Sequence, residues 1–223
     1  MSARPGLWAG ARAVWGKELR GEWRARYSIG SSLLFAAVTL AVLSFAAGPQ
    51  ARRPETAAVL LWTVLLFSAT ASLSHTFARE VEGGTWDLLR QAAGPGEVLL
   101  GKWLAGLSVL GIVEGFILAG GALLVAPSVG HPGGLAAILV AGTVALAVGL
   151  PLVAALLAQA RSHGGLAAAL AFPVLVPAVF AAVSGTRRAL EGTWPGGELR
   201  ILVAFAAALA LAGWRLFDFV WED

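Results

Sequence analysis

The sequence predicts an all-α, polytopic membrane protein of six transmembrane helices, preceded by an interfacial amphipathic helix and carrying one short helix in a cytoplasmic loop. Three observations predict it. Of 223 residues, 58% are hydrophobic and only 13% are charged, where a soluble domain carries about a quarter. Mean hydropathy is +0.78. The chain also runs without Asp, Glu, Lys or Arg from Tyr27 to Ala51 and again from Thr56 to Ala78, and about 20 apolar residues in a helix cross the hydrocarbon layer. Six or seven spans would use the whole length, so no large extramembrane domain fits. The absence of cysteine excludes disulfides, thiolate metal sites and c-type haem attachment. A formal charge of +3 is too small a field for nucleic acid.

The first element, residues 1–26, holds Arg4, Arg12, Lys17, Arg20, Arg24 and Arg26, with Glu18 and Glu22 among them. Leu7/Trp8, Ala11, Val14/Trp15, Leu19 and Trp23 recur at helical spacing, the pattern of a basic helix in the membrane interface. A cleaved secretory leader is the poorer reading, because the basic part is too long and the apolar run after it exceeds an h-region. Spans follow at about 28–48, 57–78, 103–126, 135–158, 166–184 and 199–217. The turn at Arg52, Arg53 and Glu55 separates the first two, PSVGHPGG the third and fourth, and QARSHGG the fourth and fifth. The fifth holds Pro173 and Pro177, which remove backbone donors and favour a kink. The sixth is uncharged only from Ile201 to Trp214, and Arg200 and Arg215 can snorkel from its ends. Six spans put both termini on one side, which then holds eleven Lys and Arg against five on the other. The excess predicts cytoplasmic termini.

Little of this reads as bond-making chemistry. GEVLLGKW at 96–103 imitates a phosphate-binding loop but has Trp103 where Ser or Thr must hold magnesium, so Lys102 reads as the point where the third span meets the membrane. His75, His131 and His163 lie at span ends without a carboxylate cluster, and polar span-end residues are the plainer interpretation. Spacings such as Gly111/Gly115 and Gly142/Ala145/Gly149 permit close helix packing. Glu114 falls near the bilayer midplane, where an ionisable group is a functional candidate. A structural carboxyl bonded to a neighbouring span is an equal reading.

The longest polar connection, 79–102, is different in kind. Alternating charges at Arg79, Glu80 and Glu82 lead into Gly83-Gly84. Thr85 stands as an N-cap before Trp86, Asp87, Leu88 and Leu89, and a second break follows at Gly94-Pro95-Gly96. A short helix between two hinges suits a groove on a soluble partner, although composition alone would favour an ordinary interfacial loop.

The leader GKELRGEWRARYS, the second-span segment LLWTVLLFSATASL, the loop FAREVEGGTWDLLRQAAGPGEVLLGKWLAGL, the span FPVLVPAVFAAV and the tail LFDFVWED together resemble the haem exporter protein B (CcmB) family. The resemblance runs in order over nearly the whole chain, and the loop after the second span is also similar to that of ABC-2-type permeases. The pattern departs at Gln91-Ala92-Ala93-Gly94-Pro95, where the family more often has an apolar run. The resemblance implies a non-enzymatic permease subunit of an ABC transporter in cytochrome c maturation, in the bacterial inner membrane. The implied partners are a CcmA-type ATPase that binds the ATP, CcmC, CcmD, the haem chaperone CcmE, membrane lipid and a second copy of the chain. No cofactor would be firmly bound, and haem would be at most transient. By the same analogy Arg79, Glu80, Glu82, Gly83, Trp86, Asp87, Leu88 and Leu89 form a coupling helix on the ATPase. Trp15, Lys17, Glu18, Arg20, Glu22 and Trp23 form an interfacial helix that moves with it, and Glu114, Pro173 and Pro177 are candidates for transmission through the spans. The competing readings are an ABC-2 permease for another lipid, polysaccharide or drug, a head-group transferase, and a channel without an ATPase. A transferase would need clustered acids or histidines, and a channel has no use for the hinged helix.

Overall fold

The computed structural model of the chain describes residues 6–25, 27–73, 93–159 and 165–222. Among them are seven α-helices, one 3-10 helix and no strand. The helices are α1 (Leu7–Ala25), α2 (Tyr27–Ala47), α3 (Pro54–Leu73), α4 (Pro95–Leu124), α5 (Pro132–Gln159), α6 (Gly165–Leu190) and α7 (Gly196–Glu222), with the 3-10 helix Gly48–Arg52 between α2 and α3.

Local chemistry sets their ends. Pro54 opens α3 with Glu55 in its first turn, where proline's missing N–H costs nothing and a carboxylate meets the positive end of the helix dipole. Gly94 caps α4, Pro95 takes its first position, and the Glu97 carboxylate reaches back to accept the Gly94 N–H at 3.0 Å. His131 caps α5: its Nδ1 accepts the Gly134 N–H at 2.9 Å, with Pro132 at the first helical position. Gly192, at φ 91°, supplies the left-handed turn after α6.

α5 is the central helix and packs against α3, α4, α6 and α7. Trp62 of α3 is fully buried against it. The indole rests where a Cβ on Gly142 would overlap its Cη2 atom, and its Nε1 donates to Thr186 Oγ1 of α6 at 2.8 Å. One residue thus ties three helices together, using a glycine for clearance and a hydroxyl to satisfy the only polar atom of the indole. Gly149 of α5 similarly receives Leu175 of α6 and Leu209 of α7.

The outside of this bundle exposes many large apolar side chains. Leu123 is 85% exposed and Phe180 77%, a distribution suited to a hydrocarbon solvent and wrong for water. Among the described residues, Ile29–Arg52, Pro95–Leu124, Pro132–Val153 and Gly196–Leu216 are long and apolar enough to cross a membrane, and Pro54–Thr70 is a shorter apolar helix. α4 has 30 residues, about 45 Å at 1.5 Å per residue. That exceeds the hydrocarbon layer by roughly 15 Å, which leaves its first two or three turns free for another task.

Candidate functional site

α1 occupies those first turns. Gly10, Ala11 and Val14 are buried on α4. The helices cross at Gly101, where an added Cβ would lie 2.6 Å from Val14 Cβ and 2.9 Å from the Ala11 carbonyl oxygen. So close an approach leaves room for no side chain at all. Further along, Lys102 Nζ donates to Glu18 Oε1 at 3.1 Å, with the lysine side chain 0% exposed. Lys17 joins the same carboxylate from the surface at 3.4 Å. Trp15 Nε1 donates to Ser108 Oγ at 3.1 Å, and that hydroxyl donates to the Leu104 carbonyl at 2.8 Å. Val14, Val98, Leu99, Trp103 and Val148 form the apolar cluster beside these polar ties.

The residues expected on the interfacial helix therefore separate by role. Trp15 and Glu18 bond to α4. Glu22 is half-buried, while Lys17 and Arg20 are exposed, and Arg20 Nε donates back to the Gly16 carbonyl at 2.9 Å. Trp23 is 68% exposed and Trp8 72%, so the predicted tryptophan stripe is two surfaces, one docked and one facing outward. Lys102 sits inside the α1–α4 junction, on a helix that begins eight residues earlier than the predicted third span. A signal for this was present: Glu18 follows Ala11 and Val14 at helical spacing, and a carboxylate on a buried face asks for a cation opposite.

The intramembrane candidates lie elsewhere. Thr143 Oγ1 of α5 donates to Glu114 Oε2 of α4 at 2.7 Å, both residues being buried. Glu114 Oε1 is buried without a hydrogen-bond partner among the described residues. The sequence had left the partner as an unspecified group on a neighbouring span, because a contact across 29 positions has no local signature. Pro173 and Pro177 are exposed on α6, which runs unbroken from Gly165 to Leu190. Pro151 is a third intrahelical proline, inside α5. Of the small-residue spacings, Gly142 and Gly149 are filled by neighbours, whereas a Cβ on Gly111 or Gly115 would meet nothing within 4 Å.

At the opposite end of α4, the turn into α5 is held to the end of α6. Gly130 and His131 donate their N–H groups to the carbonyls of Leu190 and Ala189 at 3.1 and 2.8 Å. Arg188 and Ser184 both reach the Glu198 carboxylate, at 3.4 and 3.3 Å. His131 meets Trp194 edge-on at 5.4 Å, and its Nδ1 is engaged as the helix cap. No group of three His, Asp or Glu suited to a metal occurs among the described residues. His75, His163 and the loop residues Arg79, Glu80, Glu82, Gly83, Trp86, Asp87, Leu88 and Leu89 lie outside the described residues.

Residues 10–216 match the sequence profile of the CcmB protein family. The chain is 32% identical over 204 residues to heme exporter protein B of Paracoccus denitrificans, covering 88% of this chain and 91% of that protein. To heme exporter protein B of Rhodobacter capsulatus it is 31% identical over the same coverage. No solved structure matches it.

Proposed function

The chain belongs to the CcmB protein family, and from that premise we propose that it is the membrane permease subunit of an ABC-type haem exporter, driven by a separate ATPase. The observation that carries this reading is the α1–α4 junction. Residues 74–92 join α3 to α4 in the sequence, and the first turns of α4 are bonded to α1 through Glu18–Lys102, Trp15–Ser108 and the Gly101 crossing. A push delivered to that segment by a soluble partner reaches a pair of helices locked together, and so moves α4 as a lever through the bundle.

In this reading α2, α3, α4, α5, α6 and α7 are the six spans, with both termini on the cytoplasmic side of the bacterial inner membrane. α1 lies at the interface, its Trp8 and Trp23 in the lipid and its basic residues toward headgroups. Glu80, Glu82, Trp86, Asp87, Leu88 and Leu89, flanked by Arg79 and Gly83, form the coupling helix on a CcmA-type ATPase, which binds the ATP. CcmC, CcmD and the chaperone CcmE are the further partners, and a second copy of the chain completes the transporter. Haem is cargo, handled transiently, and the work of the subunit is to convert ATP-driven motion into release of the haem-loaded chaperone. Glu114 with Thr143, and the prolines 173 and 177, are the places where that motion would cross the membrane.

The test is co-purification with the CcmA-type ATPase, wild type beside the double variant Glu82→Ala/Trp86→Ala. Wild type should retain the ATPase and stimulate its turnover, and the double variant should lose one or both. Absence of any associated ATPase from folded wild-type chain would overturn the permease reading. A double variant indistinguishable from wild type would overturn only the coupling helix.

A further inference from the structure

At the end of the bundle away from α1, the outer parts of α2–α6 enclose a cavity of about 370 Å³. Its wall includes Leu40, Leu60, Leu61, Ile117, Leu118 and Leu190. Among the described residues, Thr186 is the only polar side chain lining it, and its hydroxyl already accepts the Trp62 N–H. No charged or aromatic residue and no histidine or methionine among the described residues lines it. Such a wall has nothing with which to orient a polar ligand or to ligate a metal macrocycle, so whatever fills it is recognised by dispersion and apolar contact alone.

Two further features show that the space is real and reachable. A Cβ built on Gly121, which lines the cavity, meets no atom within 4 Å. Ala122, Ala126 and Val129 line the cavity and are also exposed, so it opens on the outer surface of the bundle. Ala126 forms that rim in the left-handed region, at φ 48°. The volume falls in the range of about 300–1,000 Å³ that holds small ligands. For a bundle that spans a membrane, the solvent at such a mouth is hydrocarbon. Arg52 and Arg53, exposed one turn before Ala57 of the lining, set two positive charges against the exposed carboxylate of Glu55 beside them, a net positive balance that suits a phosphate.

We propose that this cavity binds one acyl chain of a phospholipid from the leaflet opposite α1. The inference rests on the bundle spanning the membrane, and is independent of haem and of the ATPase. A chain drawn into the bundle at the tips of α3, α4 and α6 wedges the helices on which the Trp62–Thr186 tie depends, which couples lipid occupancy to the packing of α3 on α6.

The experiment places the purified chain in nanodiscs of phosphatidylcholine doped with a phosphatidylcholine carrying a diazirine at its acyl-chain end. After photolysis, labelled residues are mapped by peptide mass spectrometry. Label is expected on the buried lining, at Leu60, Ile117 and Leu190, as well as on the outward Phe180 and Val203. In Gly121→Phe the ring takes up the space, and label on the buried lining should fall by about fivefold or more while that on Phe180 and Val203 stays unchanged. Gly121→Ala should label like wild type. Labelling of Phe180 and Val203 without the buried lining in wild type overturns the proposal, and decides it even where Gly121→Phe does not fold. Unchanged lining label in folded Gly121→Phe overturns it too. Absence of label at all of these positions would instead count against the spanning bundle itself.

Discussion

Ala126 closes α4 in a conformation that L residues rarely adopt. Its N–H and that of Val125 both donate to the Gly121 carbonyl, at 2.9 and 2.8 Å, a helix end usually built with glycine. The left-handed backbone costs alanine about 1 kcal/mol, and glycine would return about 0.5 kcal/mol of that through its larger unfolded-state entropy. Ala126→Gly should therefore stabilise the protein by about 0.5 kcal/mol, seen as a rise of one or two degrees in the unfolding midpoint in detergent. Thr143 is the second residue whose role is local. A hydrogen bond between helices in a membrane averages about 0.6 kcal/mol and reaches about 1.7, and Thr143→Val leaves both Glu114 oxygens buried without a donor among the described residues. That variant should lose about 1 kcal/mol or more, and Thr143→Ser should retain most of it, by the same thermal measurement. Glu114 was recognisable in the sequence as a carboxylate at midplane depth. Thr143 was not, since a threonine inside an apolar run looks like any other.

At the scale of elements, the docking of α1 on α4 is the feature most open to test. Gly101→Ala puts a methyl where Val14 and the Ala11 carbonyl already are, and the two helices can only separate. Hydrogen exchange should show loss of protection along Gly10–Glu18, with α5 and α6 unaffected. Glu18→Ala leaves the Lys102 ammonium in a buried site without this carboxylate, at about 3 kcal/mol, the low end for breaking one side of a buried pair. The double variant Glu18→Leu/Lys102→Met should dock nearly as well as wild type, because a matched apolar pair replaces a matched ionic one. If Glu18→Ala docks like wild type, the ion pair does not hold α1. Amphipathicity marked α1 as a helix with an apolar stripe, yet it did not say which part of the stripe would be covered. Ala11 and Val14 have small side chains that fit beside Gly101, whereas Trp8 and Trp23 suit the boundary of lipid and water.

For the whole molecule, the arrangement in the membrane makes a prediction that the cysteine-free sequence renders simple to check. Ala9→Cys, exposed on α1, and Thr193→Cys, exposed in the turn between α6 and α7, lie at opposite ends of the bundle. A membrane-impermeant maleimide added to intact cells whose outer membrane has been permeabilised should label Thr193→Cys and reach Ala9→Cys only after lysis. The reverse pattern would invert the topology. Surface pairs such as Arg187–Glu191 at 3.6 Å, exposed on both sides, should weaken as salt is raised. The buried Lys102 side chain keeps its carboxylate partner under the same conditions.

Helix class, apolar runs and the charge asymmetry between the two ends were determined by the sequence alone, because they follow from composition and period, which each residue carries with it. Family membership was also readable there, from motifs in order along the chain. Tertiary structure decided what each polar residue is bonded to: Lys102 with Glu18, Thr143 with Glu114, Trp62 with Thr186. Those partners are separated by 84, 29 and 124 positions, and hydrophobic periodicity places a residue on a face without naming the helix opposite. In a bundle with large apolar side chains both inside and out, the choice falls to glycine clearances and single hydrogen bonds, which exist only once the helices have met.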